Sequence, residues 1–331
     1  MDVLVLGGTA WLGREVSGQA VASGHRVTCL ARGESGSVAA GATLVAADRA
    51  APAAYDDLPA REWDAVIDVS RQPGQVRSAL AALAGRARHW TFVSSCSVYA
   101  THATLGADES SPLLPPLVGD DSTDETYGEA KVAGEEVARQ AVGDRLLVAR
   151  AGLIGGPGDH TGRTGWWVAR AARGPAAPLL VPDSLEQPTQ VVDVRDLAGW
   201  LLGADAAGTT GGYDAVGPVR SLGGWIELSR TVAAHTADVV RVAPGWLLEQ
   251  GVTWWSGPAS LPMWLGERGY EGFMARTGAR AVAAGLRHRP TEEVLVDTLA
   301  WEREQGLGRA RPAGLSGRRE QELLTAWAAR R

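Results

Sequence analysis

The sequence predicts an α/β fold: a doubly wound parallel sheet with a smaller mixed C-terminal substrate-binding region. Three observations predict it. The chain opens with a strand, a glycine turn, a helix and a second strand: VLVL at 3–6, Gly7-Gly8, then Leu12, Val16 and Ala20 at helical spacing as far as Gly24, then VTCL at 27–30. The rhythm persists, with strands expected at TLVA 43–46, AVIDV 65–69, WTFVS 90–94 and RLLVA 145–149, and helices over 75–84 and 126–141. These strands are almost continuously apolar, as in a parallel sheet covered on both faces.

The later elements follow the same logic. VVDV at 191–194 reads as a strand returning to the main sheet, Arg195–Ala204 as a helix and YDAV at 213–216 as a short strand. Helices are expected over 222–235, 291–304 and 317–330, with a strand at DVVRV 238–242. Residues 101–124 interrupt the pattern with Ser, Asp, Gly and three prolines, Pro112, Pro115 and Pro116. A loop this long in a compact domain is functional or mobile. Residues 1–155 therefore form a nucleotide-binding domain, with 189–216 returning to it. Residues 156–188 and 217–331 form the substrate-binding region and C-terminal helices.

Composition narrows the function. The 331 residues suffice for one large core or two unequal domains, and 45% hydrophobic residues exclude whole-chain disorder. Lys+Arg is 32 against Asp+Glu 38, a net charge of -6, which argues against a nucleic-acid partner. Cys29 and Cys96 are the only cysteines, so no disulfide framework is expected, and the six histidines lack the spacing of a metal site. No signal peptide or run of eighteen apolar residues is present, so no membrane partner and a cytoplasmic location are expected. Thirteen tryptophans, many after residue 160, serve either as core bulk or as a flat aromatic pocket.

The glycine turn Gly7-Gly8-Thr9-Ala10-Trp11-Leu12-Gly13 ends the first strand, and the N–H groups of the helix that follows would face a pyrophosphate. The residue after the second strand distinguishes two cofactors. An acidic residue there would accept from the ribose of NAD, but Arg32 stands there and suits a 2′-phosphate, so NADP is preferred and NAD is the alternative. Asp48 could accept from the adenine amine and Arg49 could lie over the ring.

Tyr127 and Lys131 share one helix face at i, i+4. A phenol needs a nearby cation to work as an acid or base at neutral pH, and Lys131 would lower its pKa and hold the nicotinamide ribose. Ser95, just past the fifth strand, would hold the same substrate oxygen.

Together GGTAWLG 7–13, SSCSVY 94–99, YGEAK 127–131, ARAGLIGGPGD 149–159 and DVRDLA 193–198 resemble the extended or atypical short-chain dehydrogenases/reductases, in the NAD-dependent epimerase/dehydratase-like group with a GGTxFLG-type turn. The resemblance covers most of the chain and implies a Rossmann-type sheet, Ser95, Tyr127 and Lys131 as catalytic residues, and a possible homodimer. It also places Ser70, Arg71 and Gln72, Ser94, and Ala151, Gly152 and Leu153 along the cofactor. Two departures matter. Ala10 replaces the usual middle glycine. Cys96 and Ser97 stand where sugar-nucleotide dehydratases carry Asp and Glu, which argues against water elimination.

Substrate contacts are expected from 96–104, 155–190 and 245–275. Cys96, Ser97, Arg163, Trp167, Gln190 and Trp254 are the candidates, with at most one member of each tryptophan pair facing the site. The expected function is an NADP-preferring oxidoreductase transferring hydride between nicotinamide and a small-molecule carbonyl or alcohol. The alternatives are an NAD-dependent sugar-nucleotide epimerase and a non-catalytic cofactor-binding sensor or scaffold.

Overall fold

The computed structural model describes residues 1–330. Its first half alternates strand and helix: β1 (Asp2–Leu6), α1 (Trp11–Ala22), β2 (Arg26–Ala31), β3 (Thr43–Ala46), β4 (Trp63–Asp68), α2 (Pro73–Leu83), β5 (Ala87–Ser95), α3 (Tyr127–Val142) and β6 (Leu146–Ala151). The second half comprises β7 (Leu153–Gly155), α4 (Trp166–Arg173), β8 (Leu179–Pro182), β9 (Pro188–Asp193), α5 (Val194–Ala207), β10 (Gly211–Ala215), β11 (Val219–Ser221), α6 (Leu222–Val232), β12 (Val239–Val242), α7 (Pro244–Glu249), β13 (Thr253–Trp255), β14 (Ser260–Pro262), α8 (Ala279–Ala283), α9 (Thr291–Gln305) and α10 (Gly317–Ala328).

Seven strands build one sheet in the order β10-β6-β5-β4-β1-β2-β3, with every neighbouring pair parallel. Side chains alternate between its faces because a strand has period two. Val3, Val5 and Ile67 pack with Val16 and Ala20 of α1 and Leu197, Trp200 and Leu201 of α5. Leu4, Leu6 and Val66 pack on the other face with Val76, Leu80 and Leu83 of α2 and Ala138 and Val142 of α3. Burial on both faces explains the continuous apolar runs. A separate core, centred on Trp166, Trp167, Trp225, Trp246 and Trp264, holds the C-terminal region.

One strand differs from expectation. Residues 191–193 of VVDV lie in β9, which joins β7 and β11 in a three-stranded sheet and not the main one, and Val194 already opens α5. Asp193 ends β9 and caps α5 by accepting from Arg195 N, so the chain turns at once into the helix that covers the sheet. The strand that leaves α5, β10, is the one that reaches the free edge of β6.

Candidate active site

The cleft opens at the C-terminal ends of the parallel strands, where β1, β4, β5 and β6 deliver their following loops. It has a volume of about 800 Å³ and runs from Ala10–Gly13 past Ser95, Tyr127 and Lys131 to Arg163, Trp254 and Tyr270. At one end, α1 begins without a capping side chain and without an acidic residue in its first turn. A Cβ on Gly13 would lie 2.3 Å from Gly7 O, so only glycine lets the helix sit against the turn. Ala10 is exposed to the cleft, and the Trp11 indole donates to Pro157 O at 2.8 Å, fixing the turn to the 155–162 loop. An uncapped helix start pressed onto a glycine turn fits the pyrophosphate of a dinucleotide.

Tyr127 is the first residue of α3. Gly128 behind it is packed so tightly that a Cβ would lie 2.4 Å from Ser97 O. This contact brings the phenol to the end of β5. The Ser95 hydroxyl donates to Ser97 Oγ at 3.1 Å and accepts from Ser97 N at 3.1 Å. One turn along α3, the Lys131 ammonium is buried and donates to Ser70 O at 2.6 Å and Val93 O at 2.8 Å. Burial pushes its pKa down to about 8, against the opposing pull of Asp68 and Glu135.

The expected lowering of the phenol by Lys131 does not hold. Burial raises the Tyr127 pKa, and the opposing influences are hydrogen bonding with Ser95 and then the charges of Arg71 and Arg163. Lys131 Nζ is aimed at two carbonyls and lies 5.9 Å from the Tyr127 ring centroid, while the Arg71 guanidinium lies 5.3 Å from it.

A buried polar chain supports this end of the sheet. Ser94 Oγ donates to Glu135 Oε1 at 2.6 Å, Arg150 bonds both Glu135 oxygens, and Arg150 Nη1 donates to Tyr99 OH at 3.0 Å. Tyr99 OH donates to Asp214, which also pairs with Arg276.

The other residues singled out in the sequence divide into those facing the cleft and those engaged elsewhere. Ser97, Arg163, Trp254, Ala151, Gly152 and Leu153 line the cleft. The Arg163 guanidinium stacks on Trp255 at 4.9 Å, and burial lowers its pKa. Cys96 and Gln190 also border the cleft, but both are engaged: Cys96 is 3% exposed with its thiol reaching Arg150 O at 3.3 Å, and Gln190 spends its amide on the backbone N and O of Arg276. Gln72 pairs with the backbone of Ser122, and Arg71 with Asp124. Arg49 turns inward to Asp68 and Ser70 rather than lying over an adenine site, while Asp48 is exposed and accepts from Ala50 N.

Trp167 does not reach the cleft. It is fully buried in the C-terminal core, where its indole donates to Pro262 O at 2.8 Å. Cleft residues absent from the candidates include His102, Tyr270, Phe273 and Trp255, and with Trp254 also on the lining, both members of that tryptophan pair face the site rather than one at most. Their segments were signalled by the long 101–124 interruption and the aromatic-rich 245–275 stretch, but nothing local marked the individual residues. Among the described residues, no group of three or more His, Cys, Asp or Glu is placed to hold a metal ion, and no helix is long and apolar enough to cross a membrane.

The sheet and cleft together define a dinucleotide-dependent enzyme of the extended short-chain dehydrogenase/reductase type. The chain belongs to the NAD dependent epimerase/dehydratase family, whose pattern it matches over residues 3–207. A sequence comparison with curated proteins returns no match. Three solved structures share the fold. A protein of Burkholderia cenocepacia is 21% identical, with TM-score 0.70, covering 92% of this chain and 98% of its own. The UDP-glucose 4-epimerase of Thermus thermophilus, complexed with NAD, is 17% identical, with TM-score 0.66 and coverages of 92% and 99%. The Thermotoga maritima UDP-glucose 4-epimerase with UDP-glucose is 15% identical, with TM-score 0.69 and the same coverages.

These findings overturn two expectations. The NADP preference rested on Arg32, yet the family is NAD dependent, and in this chain Arg32 is exposed with its Nε 3.2 Å from Glu34 Oε2. Its charge is already answered by a carboxylate. The expected NADP-preferring oxidoreductase is overturned with it, since the family to which the chain belongs is the NAD dependent epimerase/dehydratase family.

Proposed function

We propose that this protein is an NAD-dependent epimerase acting on a sugar nucleotide. The observation that carries the proposal is the set of Tyr127, Ser95 and Lys131 in one cleft, at the ends of β5 and α3, continuous with the uncapped start of α1. The UDP-glucose 4-epimerases that share the fold supply the substrate class. Within the family, Cys96 and Ser97 favour epimerisation over dehydration, because neither offers the carboxylate pair that removes water.

NAD, held in this cleft, would supply the reversible hydride acceptor that lets a secondary alcohol carbon be oxidised and then reduced from the opposite face. Tyr127 acts as the phenolate, favoured by Arg71, Arg163 and the positive nicotinamide that NAD would bring; it takes the hydroxyl proton as the alcohol is oxidised and returns it to the same oxygen afterwards. Ser95 orients that oxygen. Lys131 has three N–H donors and spends two on Ser70 O and Val93 O, which leaves one for a ribose hydroxyl. The Gly7–Gly13 turn holds the pyrophosphate, and Ala151–Leu153 pass beside the nicotinamide end of the cleft. Arg163 and Trp254 hold the substrate beyond Tyr127.

The test is incubation of the NAD-loaded protein with a panel of nucleoside-diphosphate sugars, followed by analysis of sugar configuration. Inversion at one carbon with no accumulation of NADH is expected. Tyr127→Phe is expected to lower the rate by about 10²–10⁴-fold while NAD stays bound. NADH formed in proportion to product would overturn the reading.

A further inference from the structure

The long interruption at 101–124 is bound to the C-terminal segment that faces it. Gly272 N donates to His102 O at 2.7 Å, Gly106 N to Ala275 O at 2.8 Å and Thr277 N to Ala107 O at 3.1 Å. A Cβ on Gly272 would lie 2.0 Å from Thr104 O, so the two strips are in close backbone contact. Arg276 holds them from beneath, pairing with Asp214 on β10 and donating to Asp108 O. The two segments form one wall of the cleft, built from residues far apart in the chain.

His102 is the imidazole of that wall. Its ring sits 4.8 Å from Phe273, edge to face, and 5.4 Å from Tyr270, and these three line the cleft together. Its backbone carbonyl is pinned by Gly272 and its ring by two aromatic neighbours, so the imidazole has a fixed direction. Among the described residues, Nδ1 is enclosed and has no hydrogen-bond partner. A buried unpaired N–H costs more than a buried unpaired lone pair. The proton therefore belongs on Nε2, the nitrogen that is not enclosed. Burial, together with the nearby charge of Arg276, lowers the His102 pKa and keeps the ring neutral.

We propose that His102 is a specificity-determining residue, whose Nε2–H donates to a hydroxyl or carbonyl oxygen of the substrate portion lying beyond the carbon that Tyr127 serves. For the substrate class this rests on the epimerase reading, but the donor role applies to any alcohol the enzyme oxidises. A neutral donor in an aromatic wall selects an uncharged oxygen, leaving any phosphate to Arg163. Once bound substrate covers Nε2, a substrate that lacks this oxygen leaves the donor shut off from water and unpaired, and is rejected for that reason.

Two measurements test the proposal. ¹⁵N NMR of the NAD-loaded protein at pH 7.5 is expected to show His102 neutral and protonated on Nε2. A proton on Nδ1 overturns the proposal whatever the substrate proves to be. The second measurement compares wild type with His102→Phe and His102→Gln over a panel of sugar nucleotides and simple secondary alcohols, reading bound NADH absorbance and product configuration separately. His102→Phe keeps the aromatic packing and removes the donor. It is expected to lower kcat/KM by about 10–100-fold with NAD affinity unchanged. His102→Gln, which places an amide N–H near the Nε2 position, is expected to recover most of that loss. Equal kcat/KM for wild type and His102→Phe overturns the proposal. Loss of inversion with NADH formation intact counts against the epimerase reading alone.

Discussion

Gly128→Ala probes the contact that sets the phenol in place. The added Cβ would lie 2.4 Å from Ser97 O and 2.6 Å from Leu114 Cδ1, whereas ordinary contact begins near 3.4 Å. The leucine methyl has freedom to move, but the carbonyl belongs to the same short segment as Ser95. The start of α3 and the end of β5 must therefore part by about 1 Å, and Tyr127 is the residue carried with the helix. A displacement of that size in a catalytic constellation costs about 10²-fold in rate. The same overpacking costs about 1–3 kcal/mol of stability. The assay is kcat for sugar inversion at saturating NAD, with thermal unfolding followed in parallel. Reduced kcat with retained NAD binding and a modest fall in Tm is expected. Wild-type kcat together with wild-type Tm refutes the reasoning, because the crowding would then not exist.

Four further outcomes follow from the same geometry. Lys131 falls from 10.5 to about 8 on folding, so between those values the unfolded chain holds more protons and stability rises with pH. That group contributes a rise of about 3 kcal/mol across the window, which Lys131→Met removes; parallel urea-unfolding profiles for the two proteins would contradict the burial of a strained ammonium. Glu34→Ala frees the Arg32 charge from an exposed pair and is expected to raise NADP affinity by about two- to five-fold in calorimetric titrations, and an unchanged affinity would show that the Glu34 pairing is not what holds Arg32 back. Trp167→Ala is expected to cost about 3–5 kcal/mol of stability while leaving KM unchanged. Trp254→Ala is expected to raise KM several-fold and to lower Tm less than Trp167→Ala does, because Trp254 is only half-buried against that core; the opposite pattern in unfolding and steady-state kinetics would reverse their assignments to core and cleft.

Much of the sheet was legible because its strands are buried on both faces. The apolar runs at 3–6, 27–30 and 90–94 sit within β1, β2 and β5, while TLVA at 43–46 is β3 residue for residue although that edge strand is largely exposed. Periodicity reports local burial, and it does so well here. It does not report partners. VVDV has the composition of a central strand, yet its neighbours are β7 and β11, because the chain enters α5 immediately at Asp193. The same limit applies to single side chains. Arg32 next to the ribose position invites a phosphate until Glu34 is seen to pair with it. Gln190 has the chemistry of a substrate ligand, but its amide is taken by the backbone of Arg276. Trp167 and Trp254 are alike in the sequence, and only the packing of distant helices places one in the core and the other in the cleft. His102 carries no local signal, since its meaning comes from Tyr270 and Phe273 far along the chain.

The central claim is that Tyr127 moves only the hydroxyl proton, while the carbon-bound hydrogen leaves and returns as hydride without meeting solvent. Inversion of a nucleoside-diphosphate sugar in D₂O, followed by mass spectrometry and NMR of the product, tests it most directly. The account predicts an inverted carbon that still carries protium, with enzyme-bound NAD unchanged at the end. Deuterium at that carbon would contradict it, because the hydrogen would then have left as a proton.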